Sequence, residues 1–216
     1  MSPVRRPLGA RATVAVAIAC SLALSGCTGS PDSEPSPTAA PSEATDSGTS
    51  LEDLETTALV VPRAPFCDRV DPAAVTHALG EEAADASAYR SGQRIRISND
   101  VADVVHEFGC RWTAGGGTAE AWVFAPPVTL KRAKELARSV LRTSECHDLL
   151  PADFGRPSAS CASADDDSVA VRYQGLFGDA WLTCSLMLSR ETSARLDERA
   201  SHWCAAVATG AASPGG

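Results

Sequence analysis

The sequence predicts an α+β domain: a mostly antiparallel sheet with helices packed on one face, in the order α-ββα-ββα, stapled by disulfides. Three observations carry this reading. Two alternating apolar segments run into glycine-containing turns, at 114–117 and 175–178, and resume as second strands. An amphipathic helical pattern follows each hairpin. Six cysteines, an even number, remain beyond an export-type leader and a spacer.

The leader comes first. Arg5, Arg6 and Arg11 make a positive start, and Ala12 to Gly26 form an apolar run of 15 residues. That run is shorter than the about 20 apolar residues a membrane span needs. Leu24-Ser25-Gly26-Cys27 follows. It resembles the bacterial lipobox, which implies cleavage before Cys27 and a thioether-linked diacylglycerol on its sulfur. Two or more acyl chains anchor a protein stably, at roughly 0.8 kcal/mol per buried methylene. The expected boundaries are a signal over 1–26, a lipidated Cys27 with its tether over 27–65, a globular domain over 66–210 and a disordered tail over 211–216.

Thr28 to Ser50 holds six Ser, four Thr, four Pro and four acids, with no aromatic, large aliphatic or basic residue. Such a segment buries too little to offset its ordering entropy and reads as a spacer of roughly 25–30 Å. Three of the 19 basic residues and none of the 27 acids lie in 1–26, so the remaining chain is net −11. That balance argues against nucleic acid as a partner, because phosphates demand a basic surface. No later run is long and apolar enough to span a bilayer.

Within the domain, Asp71 suits a helix N-cap, Pro72 the first helical position and Gly80 the C-terminal cap. Val70 and Val75 are spaced for a hydrophobic staple. Residues 81–92 read as loop, and Arg94 to Ile97 as an edge strand. From Val104 to Thr113, alternation places His106, Phe108, Cys110 and Trp112 on one face. Gly115-Gly116-Gly117 makes a turn rather than a phosphate cradle, since a strand and not a helix follows. Pro126-Pro127 end that strand. Val128 to Thr143 then gives the best helix, striped by Leu130, Ala133, Leu136, Ala137, Val140 and Leu141, with Lys and Arg opposite as a solvated face. Val169, Val171 and Tyr173 alternate before the turn at 175–178, and Asp179 to Ser189 continues as a strand. The last helix is expected from Ser193 to Thr209, capped by Gly210.

Six cysteines allow fifteen pairings, and sequence alone does not select one. The layout favours Cys67 with Cys110, Cys146 with Cys161, and Cys184 with Cys204. Metal ligation by Cys146-His147 or His202 and Cys204 lacks the paired spacing of a structural zinc site. No Cys-x-x-Cys suggests thiol exchange. Asp165-Asp166-Asp167 lacks the alternating ligands and glycine of a calcium loop and reads as a solvated turn. No catalytic motif surrounds His77, His106 or His202, although a triad assembled only in space has no sequence order to reveal it. No catalytic residue, metal or cofactor is expected.

Pro65-Phe66-Cys67-Asp68, the short helix ending Leu79-Gly80, and Gly109-Cys110-Arg111-Trp112 together resemble a family of uncharacterised actinobacterial lipoproteins. In that family an early Cys precedes a short helix and a Gly-Cys-x-Trp strand comes later. The resemblance implies an α+β domain outside the membrane and supports pairing Cys67 with Cys110. It transfers no activity.

The expected function is therefore a lipid-anchored extracytoplasmic module. It would bind a small or apolar ligand, or an envelope protein, through the sheet face the helices leave open. Trp112, Trp122 and Trp181 are its candidate binding residues. The alternatives are an envelope hydrolase using His106 or His202, and an extracytoplasmic sensor or accessory subunit similar to the cysteine-stapled sensor domains of receptor kinases.

Overall fold

The computed structural model describes residues 48–98, 101–140, 142, 146, 153–165 and 167–212. All belong to the compact unit Thr45–Gly216. The signal, Cys27, the tether up to residue 47, Leu141, His147, Asp166 and the tail from 213 lie outside the described residues.

Helix α1 spans Pro72–Leu79. Its ends follow the local chemistry: the Ala73 N–H donates to Asp71 Oδ1 at 2.8 Å, and Gly80 closes the helix at φ 82°. Val70 and Val75, the expected staple pair, are both buried in the main core cluster. Strand β1 (Asp85–Tyr89) follows, then β2 (Arg94–Ser98) and β3 (Val101–Val104), then β4 (Glu107–Ala114) and β5 (Gly117–Phe124). Helix α2 covers Leu130–Val140. Strands β6 (Ser158–Ala164), β7 (Ser168–Phe177) and β8 (Ala180–Ser189) lead into helix α3, Ser193–Ala212.

Six strands form one sheet in the order β1-β4-β5-β8-β7-β6, every neighbouring pair antiparallel. The fold is α+β with a mostly antiparallel sheet, as the hairpin-helix pattern implied. Gly115 (φ 52°) and Gly116 (φ 90°) supply the two positive φ values of the β4–β5 turn. The second hairpin turns at Gly178-Asp179 rather than over 175–178, so β7 continues through Gly175, Leu176 and Phe177.

Several expectations are corrected. Residues 81–92 are not all loop, because β1 pairs along β4 from Asp85–Thr113 to Tyr89–Gly109. Arg94 to Ile97 does lie in a strand, but β2 pairs only with β3 in a separate two-stranded ribbon. Val104 ends that ribbon and His106 lies outside both strands, so 104–113 is not one strand. Gly210 is inside α3, not its cap. A Cβ there would sit 2.8 Å from the Arg69 carbonyl oxygen, so close backbone approach is what requires glycine. The domain also begins before Phe66. Leu51, Thr56 and Val61 are buried, the Leu51 N–H donates to Ser201 Oγ at 3.0 Å, and Thr56 Oγ1 donates to the Asp153 carbonyl at 2.6 Å. Residues 51–65 thus form a strap on the domain rather than tether.

The helices do not share one face. Inward residues of β5, β7 and β8, among them Ala121, Val123, Val171, Leu182 and Leu186, build the main core with Val75 of α1 and Leu196, Trp203 and Val207 of α3. Residues of opposite parity, Phe124, Ala159, Leu176 and Trp181, form a second cluster with Ala133, Leu136 and Ala137 of α2. Helix α2 therefore lies on the other face, at one end of it. Of the expected α2 stripe, Ala133, Leu136, Ala137 and Val140 pack on the sheet, whereas Leu130 is 55% exposed.

Three disulfides close within the unit: Cys67–Cys110, Cys146–Cys161 and Cys184–Cys204, with Cα separations of 5.6, 5.2 and 5.6 Å. These are the pairings the layout favoured. Each contributes roughly 2–4 kcal/mol, largely by restricting the unfolded chain.

Candidate functional site

Because α2 covers only one end of its face, the described residues leave the rest of that face open. Alternation points Arg111 of β4, Thr118, Glu120 and Trp122 of β5, Arg172 and Gln174 of β7, and Ser185 and Met187 of β8 to this side. All of these except Trp122 line a groove of 460 Å³, closed at one edge by Ser139 and Val140 of α2 and by Cys161 of the disulfide. Met187 is 39% exposed, giving the groove an apolar floor beside its polar groups.

The two arginines differ. Arg111 Nε lies 2.7 Å from Glu120 Oε1, directly across the β4–β5 pair. Arg172 has no ion-pair partner among the described residues, and its guanidinium carbon stands 5.7 Å from the centre of the Trp122 ring. Tyr89 marks the β1 side of the face. It lies across Gly109, where a Cβ would meet its ring 2.2 Å away, and its hydroxyl donates to Glu107 Oε1 at 2.8 Å. Burial and that carboxylate raise the Tyr89 phenol far above its ordinary value, so it stays a neutral donor.

The three candidate tryptophans separate. Only Trp122 is half-buried on the open face. Trp181 is 1% exposed under α2. Trp112 points inward, edge-on to Trp203 at 5.4 Å, and so belongs to packing. Arg172 and Gln174 were missed because they alternate with Val171 and Tyr173, where sequence shows only the apolar partners.

A second cleft, 320 Å³, opens between α1 and α3 over Ala73, Ala74, Ala205 and Ala206, with His77 and His202 on its wall. The imidazoles meet edge to face at 5.6 Å, and His202 Nδ1 is buried without a hydrogen-bond partner among the described residues. Burial lowers the His77 pKa, reinforced by His202 and Arg199.

His202, Ser201 and Glu52 share a third cleft, the adjacency a hydrolase would want. The hydroxyl is committed elsewhere, however. Ser201 Oγ donates to Glu52 Oε2 at 2.9 Å and accepts from the Leu51 N–H, which ties the strap to α3. His106 is exposed and its side chain has no hydrogen bond among the described residues.

All six cysteines of the domain are paired, and no group of three or more His, Cys, Asp or Glu among the described residues could hold a metal ion. No helix among them is long and apolar enough to cross a membrane. The chain matches no protein-family model, and comparison with curated proteins also returns no match.

Proposed function

We propose that this chain is a membrane-anchored extracytoplasmic lipoprotein whose domain binds a small or apolar ligand, or an envelope protein, without converting it chemically. The anchor reading rests on Leu24-Ser25-Gly26-Cys27 and the spacer behind it. The binding reading rests on one observation: a 460 Å³ groove on a sheet face that the described residues leave uncovered beyond α2, bearing an arginine with no ion-pair partner among them. Concave sites with an apolar floor and a few oriented polar groups are the usual form of small-molecule sites. Arg172 favours ligands with an anionic group, while Met187 and Val140 favour an apolar body.

Tryptophan fluorescence tests this. Trp122 lies beneath the groove residue Arg172, whereas Trp181 and Trp203 are fully buried. Titration with fractionated envelope extract is expected to shift emission in the unmodified protein and not in Trp122→Phe. A shift that persists in Trp122→Phe places binding elsewhere.

The hydrolase alternative retains one supporting observation, the adjacency of His202, Ser201 and Glu52. Ester hydrolysis lost in a folded Ser201→Ala variant would establish it. The strap hydrogen bonds predict that Ser201→Ala changes stability instead.

A further inference from the structure

Helix α2 carries Lys131, Arg132, Lys134 and Arg138 against a single carboxylate, Glu135. At 100° per residue, Lys131 and Arg138 fall on the side away from Ala133 and Ala137, which are buried against the sheet, and Lys134 lies on the adjoining flank. All three cations are exposed. Glu135 is taken by Arg132 at 3.3 Å, and none of the three has an ion-pair partner among the described residues. Arg142, also exposed, extends the stripe past the helix end. Like charges at these spacings weaken a helix, and here they gather on a chain that is otherwise acidic.

We propose that this stripe docks the domain on an anionic lipid bilayer. The stripe runs along a convex helix surface and lies outside the 460 Å³ groove, which suits a flat charged plane better than a small ligand. Exposed Leu130, with Pro126 and Pro127 just before the helix, adds an apolar contact at one end. Cations near an anionic bilayer are attracted individually, and the attraction fades within a Debye length of about 8–10 Å. If Cys27 is lipidated, as proposed above, only the 20 residues from Thr28 to Ser47 separate the anchored cysteine from the described domain, so the stripe meets that surface at raised effective concentration. A weak surface affinity then suffices to set orientation. Because α2 sits on the open face, docking through it turns the groove toward the lipid. The affinity of the stripe itself does not depend on the anchor.

The test is vesicle flotation with Thr45–Gly216, the unit that encloses the described core and all three disulfides. Vesicles of phosphatidylcholine alone are compared with phosphatidylcholine mixed with phosphatidylglycerol. The expected result is binding to the mixed vesicles that weakens with salt and drops about a hundredfold in Lys131→Glu/Lys134→Glu/Arg138→Glu. The corresponding triple Gln variant keeps helix propensity and guards against loss of folding, with intact disulfides as the check. Arg172→Glu should leave vesicle binding in place, and the triple variants should leave the Trp122 ligand response in place. Failure here is thereby separated from failure of the groove. No preference for phosphatidylglycerol, or binding retained in both triple variants, overturns the proposal. So does equal binding to soluble polyglutamate, which would make the partner an acidic protein.

Discussion

The Arg172 guanidinium is held 5.7 Å from the centre of the Trp122 ring, across the intervening strand β8 of the open sheet face. Arg111, on the same face, is instead neutralised by Glu120. One face thus carries a spent cation and an available one. The available one stands over the only described tryptophan that belongs to neither core cluster.

This asymmetry makes the tryptophans separable by mutation. Trp122→Phe should change the melting temperature by no more than a few degrees, because the ring is half-buried. Trp203→Ala should cost about 3–5 kcal/mol, since its ring is fully buried and its Nε1 donates to the Ser185 carbonyl at 3.1 Å. Urea unfolding followed by circular dichroism would measure both.

The strap gives a second prediction. A chain beginning at Phe66 lacks Leu51 and Val61, each buried, at roughly 1.5–3 kcal/mol per side chain. It should be several kcal/mol less stable than one beginning at Thr45. Equal stability would mean that 51–65 only rests on the surface.

Gly210→Ala provides a third. In an ordinary helix interior Ala would gain roughly 1 kcal/mol over Gly. At this site the added methyl meets the Arg69 carbonyl at 2.8 Å, and Arg69 Nε also donates to the Gly210 carbonyl at 3.0 Å. The variant should therefore lose about 1–3 kcal/mol. A gain would show that the backbone at Arg69 relaxes freely away from α3.

Acidification should act in two steps. Burial first, then the neighbouring His202 and Arg199, depress the His77 pKa, with Glu198 opposing. Below the ordinary value of 6.5 the unfolded chain binds a proton that the folded chain resists. Stability should be complete above that value, decline as pH falls toward the depressed folded pKa, and then level. Glu52 is also depressed, chiefly by a backbone hydrogen bond and by Ser201. Its contribution is present above 4.5 and is lost as pH falls through its folded value. Melting temperatures across pH should show His77→Gln removing the upper decline and Glu52→Gln the lower one.

The elements legible in the sequence were those whose signal is local. Asp71, Pro72 and Gly80 bracket α1 by capping chemistry, and Gly115-Gly116 fixes a hairpin by its φ requirement. Of the six-stranded sheet, the strands that the sequence does not reveal, β1 and β6, are its two edges. Their sequences, Asp-Ala-Ser-Ala-Tyr and Ser-Ala-Ser-Cys-Ala-Ser-Ala, are short in the β-branched and large apolar residues that mark strands. They are strands because β4 and β7 offer them a ladder, a fact no local window contains. The face occupied by α2 was equally hidden. Its apolar stripe tells that it packs, while only the tertiary connection decides on which side.

The site was partly legible for the same reason. Trp122 could be named from an alternating strand, but Arg172 and Gln174 become groove residues only once β7 and β8 lie between Trp122 and the disulfide at Cys161.

The most direct test of the binding account is native mass spectrometry of the chain recovered from a bacterial envelope, compared with Arg172→Glu prepared identically. The account predicts a non-covalent mass on the unmodified protein that is absent from the variant, both retaining three disulfides. A bare unmodified protein, or an adduct that survives Arg172→Glu unchanged, would contradict it.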